Sequence, residues 1–152
     1  MQESIFSRIL RIALYAIFVV GLAGAATLPF MLDFYVRLIW GFNALGAAYW
    51  DFILPFLMVV AAPALWIVLE MIWMMNSIPK GPFVMRNVRA LYRIGVLLIA
   101  LAAAFIFKCF FFLTVLTLFC VFFFVLSGLF AFTLAALIRQ SVVFREENDL
   151  TI

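Results

Sequence analysis

CFFFLTVLTLFCVFFFVLSGLFAFTLAALI, residues 109–138, is a run of 30 residues without one charged side chain. An ionised group at the centre of a bilayer costs about 3 kcal/mol on insertion scales, so runs of this kind mark membrane spans. Three further charge-free stretches precede it: Ile12–Leu32, Phe52–Leu69 and Ile94–Phe107. About 20 helical residues cross the hydrocarbon core. The stretch 94–107 reaches that length only when its helix starts near Asn87 and its arginines extend to the head groups. The run 109–138 exceeds it, so Cys109–Phe112 are assigned to a position in or near a tight hairpin. The resulting fold is an all-α integral membrane protein, a single domain spanning 1–152. Its four transmembrane helices, at roughly 8–32, 51–75, 87–108 and 113–139, form a compact bundle followed by an acidic tail at 140–152.

Composition agrees. The chain is 70% hydrophobic and 11% charged, against about half and a quarter in soluble domains, which excludes a water-soluble globule. Four spans consume about 80 residues and leave about 70, too few for a separate soluble domain. There is no histidine, so the commonest general base and metal ligand are both missing. The hydroxyls of Tyr92, Thr114, Thr117 and Ser127 have no evident base to activate them. The sequence therefore points away from an enzyme and assigns no catalytic residue, no cofactor and no metal. Cys109 and Cys120 are eleven residues apart, which on one helix would mean about 16 Å of rise and no feasible disulfide, and are read as small buried hydrophobes.

An even number of spans puts both termini on one side. That side collects Arg8, Arg11, Lys80, Arg86, Arg89, Arg93, Arg139 and Arg145, leaving Arg37 and Lys108 opposite. The positive-inside rule then makes the termini and the middle loop cytoplasmic. A cleaved signal peptide ending near Ala23-Gly24-Ala25 is the rival for the first run, but its apolar stretch is longer than a signal core.

Helices in lipid associate through small residues and polar contacts. The sequence offers Gly21 with Ala25, Ala100 with Ala104, and a stripe of Ser127, Ala131 and Ala135. These stripes suit packing within one chain or a homodimer. The phenylalanines of the last run suit lipid-facing surface and gaps between helices. The turn Pro79-Lys80-Gly81-Pro82 lies midway between Glu70 and Arg93 and between Asp51 and Lys108. A symmetric hairpin brings each pair to one depth, so two ion pairs are expected to fix the register of helices two and three. Pro63 is expected to kink helix two. The connection from Asp33 to Asp51, with Tyr35, Trp40, Tyr49 and Trp50, is too apolar for a free loop and is read as interfacial, with Gly41 and Gly46 allowing bends or a shallow re-entrant turn.

Two short elements flank the bundle on its arginine-rich side. At helical spacing Arg86, Arg89 and Arg93 share one face while Val88, Leu91 and Tyr92 share another, a basic amphipathic lead-in suited to anionic lipid or an acidic protein surface. Three arginines without a reading module are too small a footprint for direct nucleic-acid binding. The tail ends in Phe144-Arg145-Glu146-Glu147-Asn148-Asp149-Leu150-Thr151-Ile152.

Over nearly its whole length the chain resembles the bacterial membrane proteins grouped as domain of unknown function 2975. Pro82, Phe83, Asn87, Val88, Leu91, Ile94 and Gly95 match that family's central signature, and Glu146, Glu147, Asp149, Leu150, Thr151 and Ile152 match its terminal one. Ser141-Val142-Val143 departs from the more polar stretches of similar members. The resemblance implies four spans in a bacterial cytoplasmic membrane. It also implies a partner, because members are often encoded beside a small helix-turn-helix transcription regulator. A partner-binding edge is then expected from Arg86 and Arg89 together with Phe144, Glu146, Glu147, Asp149, Leu150 and Ile152. The competing expectation is a small transporter, channel or transport accessory with Glu70 and Arg93 as a polar gate.

Overall fold

A computed structural model describes residues 5–40, 47–77 and 84–149. Four α-helices follow one another: α1 (Ile5–Trp40), α2 (Ala47–Ser77), α3 (Met85–Phe111) and α4 (Val115–Asp149). There is no strand among the described residues. Each helix contains a segment long and apolar enough to cross a membrane: Ile5–Phe30, Asp51–Ser77, Met85–Phe111 and Val115–Arg145. The outer surface is apolar, with Phe110, Phe119, Phe122, Phe123 and Phe130 all exposed. A soluble protein rarely shows so continuous a belt, whereas hydrocarbon solvates it.

The helices exceed their expected lengths. α1 continues through Phe34, Tyr35 and Val36 to Trp40, and α2 already begins at Ala47. Most of the segment assigned to an interfacial connection is therefore helix, and Gly41–Gly46 lie outside the described residues. Asp33 and Arg37 are four apart, a spacing that supports a helix, and no glycine or proline intervenes before Gly41. α2 stays helical through Pro55 and Pro63.

The tightest packing joins α3 to α4. Positions half-buried or buried on α4 recur as Thr117, Val121, Phe124, Gly128, Ala131, Ala135, Ile138 and Val142. On α3 they recur as Val88, Leu91, Gly95, Leu98, Ala102 and Phe105. Both series alternate steps of three and four, the seam of left-handed helix pairs. Glycine sets the closest approach. A Cβ on Gly128 would lie 2.9 Å from Ile99 Cδ1 and 3.3 Å from the Gly95 carbonyl oxygen, and one on Gly95 would lie 2.7 Å from the Phe132 ring. The small-residue stripe of α4 thus runs through Gly128 and not through Ser127, which is exposed; Ala100 is exposed as well.

α1 lies at the periphery. Among its described side chains only Leu14 is buried, against Ile72 and Met75 of α2, and Gly21 faces Leu65. α2 meets α3 through Ile53 and Phe56, packed against Ala104 and Phe105. The Phe56–Phe105 and Phe105–Phe124 ring pairs, each 5.3 Å apart, carry that contact on into α4.

The α3/α4 register is fixed at two levels, Lys108 beside Thr117 and Tyr92 beside Phe132. In this register Met85 lies level with about Gln140. Residues 141–149 of α4 therefore project about 13 Å past the start of α3.

Candidate functional site

Polar side chains inside an apolar bundle are costly and so mark candidate sites. Three groups stand out, beginning with the α2/α3 interface. Glu70 is 1% exposed. Arg93 reaches it with Nη2 at 2.8 Å from Oε2 and Nε at 2.6 Å from Oε1, a two-pronged contact suited to the planar guanidinium. The Trp66 indole N–H donates to Oε1 at 3.3 Å. One turn or two further along, Ser77 at the end of α2 meets Asn87 near the start of α3, with Ser77 Oγ 2.6 Å from Asn87 Oδ1 and 2.7 Å from the Met74 carbonyl oxygen. A hydroxyl has one proton, so one of these contacts accepts it at a time. These contacts clamp the hairpin at its arginine-rich end.

The second group lies at the opposite end. Lys108 is 4% exposed and donates to Thr117 Oγ1 at 2.8 Å, while the Thr114 and Thr117 hydroxyls lie 2.6 Å apart. Asp51 is exposed on α2 and makes no ion pair with Lys108. The Asp51–Lys108 pair expected from hairpin symmetry is thus replaced by a contact across the α3/α4 turn. The reason is proximity: the connection spans only Phe112–Thr114, so the first turn of α4 delivers its hydroxyls directly to the last turn of α3. Thr117→Val should cost about 2 kcal/mol, the loss of a hydrogen bond to a buried charged donor, read as a lower midpoint of unfolding in detergent. An unchanged midpoint would separate Thr117 from the burial of Lys108.

The third group is a groove of about 1010 Å³ between the start of α3 and the end of α4. Its floor includes Val88, Phe132, Ala135 and Ala136; Arg89, Arg93 and Arg139 line it, and Phe144 and Glu147 stand at its far end. The acidic end is part of α4, so Arg89 from the basic lead-in lines the same groove as Phe144 and Glu147. Arg86 is exposed but does not line the groove. Glu146 and Asp149 belong to α4, whereas Leu150 and Ile152 lie outside the described residues. Tyr92 is exposed and faces the groove instead of sharing the buried side of α3 with Val88 and Leu91.

Arg139 and Tyr92 were not singled out for this surface by the sequence. The signal was present in the α3/α4 register, which puts Arg139 level with about Arg86, but the register needs the short turn at 112–114. Among the described residues no three cysteine, aspartate or glutamate side chains gather as a metal would require.

These features define a class: an all-α membrane protein of four spans, with, among the described residues, a buried glutamate paired to an arginine, a buried lysine and a basic groove at the end where α3 begins and α4 ends. No family model, no curated protein and no solved structure matches the chain.

Proposed function

We propose that the chain is a non-enzymatic regulatory protein of a bacterial cytoplasmic membrane that captures a small helix-turn-helix transcription regulator on its cytoplasmic face. The observation that carries this reading is the helical projection at residues 141–149, which holds Phe144, 69% exposed, beside the basic start of α3. An exposed ring on a rigid helix is a suitable anchor for a protein partner, and charges of both signs around it steer approach and set specificity. The collection of Arg8, Arg11, Arg86, Arg89, Arg93, Arg139 and Arg145 at this end supports placing it inside the cell. The identity of the partner rests on the resemblance to the domain of unknown function 2975 family.

Deleting residues 148–152 is expected to leave membrane insertion intact and to abolish recovery of the neighbouring regulator with the tagged protein. Undiminished recovery would remove the tail from the mechanism. The polar-gate reading has weaker support. The cavity of about 580 Å³ between the helices is walled mainly by apolar residues such as Gly21, Ala64 and Phe56, with Lys108 and Thr117 among its lining, and neither Glu70 nor Arg93 lines it. Neutralising both members of that pair should therefore leave regulator capture unchanged; loss of a solute flux in the same variant would favour transport instead.

A further inference from the structure

The inner half of the α3/α4 groove has a composition that a protein partner at the helix tip does not account for. Arg89 from α3 and Arg139 from α4 both line it. Both are exposed, and among the described residues neither makes an ion pair. The third arginine, Arg93, has its charge balanced by Glu70. Glu147 is eight positions beyond Arg139 on the same helix, about 12 Å farther out, so it does not offset the inner charges. Between these arginines the floor is Val88, Phe132, Ala135 and Ala136, with the Tyr92 ring alongside.

We propose that this groove holds one anionic phospholipid, its phosphate between Arg89 and Arg139 and an acyl chain along the Phe132–Ala136 floor. Depth argues for lipid. The segment of α3 apolar enough to cross a membrane starts at Met85, level with about Gln140 of α4, so Arg89 and Arg139 both lie within about one turn of that level, where phosphates of the leaflet are found. Two guanidinium forks from separate helices match the oxygens of one phosphate diester. The alanines keep the floor low enough for a chain to lie against it, and Tyr92 brings a hydroxyl to head-group level. A headgroup that adds its own cation would bring that cation beside two arginines, so the site selects phosphatidylglycerol over phosphatidylcholine. The bound lipid would bridge the two helices. This inference stands independently of regulator capture.

The test uses the full-length protein, purified in mild detergent and titrated with phosphatidylglycerol or phosphatidylcholine under native mass spectrometry. Wild-type protein should retain one phosphatidylglycerol in preference to phosphatidylcholine. Arg89→Gln and Arg139→Gln should each weaken retention about fivefold, and the double variant about 30-fold, while Arg86→Gln, outside the groove, should not. Equal retention of both lipids, or an unaffected double variant, would overturn the proposal. Photolabelling of wild-type protein with a photoactivatable phosphatidylglycerol needs no variant to fold. Label at Tyr92, Phe132 or Ala136 supports the site, and label confined to other helices overturns it.

Discussion

Arg93→Ala should lower the stability of the bundle by about 3 kcal/mol, the largest loss expected from any single polar change on α2 or α3. The cost belongs to Glu70. Its carboxylate is 1% exposed and keeps only the 3.3 Å contact from Trp66 once the guanidinium is gone. Glu70→Gln should cost much less, about 1 kcal/mol, because an amide still accepts from Trp66 and Arg93. Arg93 is 54% exposed on its side chain and can extend toward the head groups when its partner is neutral. The diagnostic variant is Glu70→Gln combined with Arg93→Ala, which removes the stranded charge and should recover most of what Arg93→Ala loses. Denaturation in detergent, followed by helical circular dichroism for all three variants, checks the order. If the double variant is as unstable as Arg93→Ala, the loss comes from arginine packing and not from an unpaired carboxylate.

The same pair shows what the sequence could and could not disclose. Glu70 and Arg93 are nearly equidistant from a proline-bounded turn, and a two-helix hairpin has only one free register, so symmetry locates their contact. Asp51 and Lys108 satisfy the same symmetry, yet Lys108 turns to Thr117 because α4 begins after a connection of only three residues. The symmetry of two helices does not include that neighbour. Spans were legible because charge is excluded from hydrocarbon, and their ends were not, because charges tolerated near head groups do not stop a helix. Asp33, Arg37 and Arg145 are all inside helices for that reason.

The packing face of α4 was legible to within one residue. Ser127, Ala131 and Ala135 share a four-residue spacing, but the seam that faces α3 steps by three and four and takes Gly128 in place of Ser127. Only the neighbour's shape decides between adjacent small residues. The groove was legible in its parts, since Arg89, Phe144 and Glu147 each drew notice, but its completion by Arg139 and Tyr92 depended on the α3/α4 register.

Gly128→Leu should separate α3 from α4 and cost about 3 kcal/mol, the upper end of the range for overpacking, with loss of a sharp unfolding transition. The size follows from what surrounds the missing side chain. Even a single Cβ would come within 2.9 Å of Ile99 Cδ1, and within 3.3 Å of the Gly95 carbonyl oxygen. Ile99 is exposed and its terminal methyl can rotate away, so the first contact is soft. The carbonyl is backbone in the middle of α3 and cannot move without shifting the helix. Two kinds of obstacle predict two kinds of response. Gly128→Ala should cost about 1 kcal/mol and be partly rescued by Ile99→Ala, which removes the soft obstacle. Gly128→Leu should not be rescued by Ile99→Ala, because its bulk still meets Gly95. The Gly95 side of the seam gives a control: a Cβ there meets only the Phe132 ring within 3.0 Å, so Gly95→Ala should be relieved by Phe132→Leu. Unfolding midpoints in detergent for these variants separate the two cases. Rescue of Gly128→Leu by Ile99→Ala would mean that side chains alone, and not the approach of the two backbones, hold α3 and α4 at their distance.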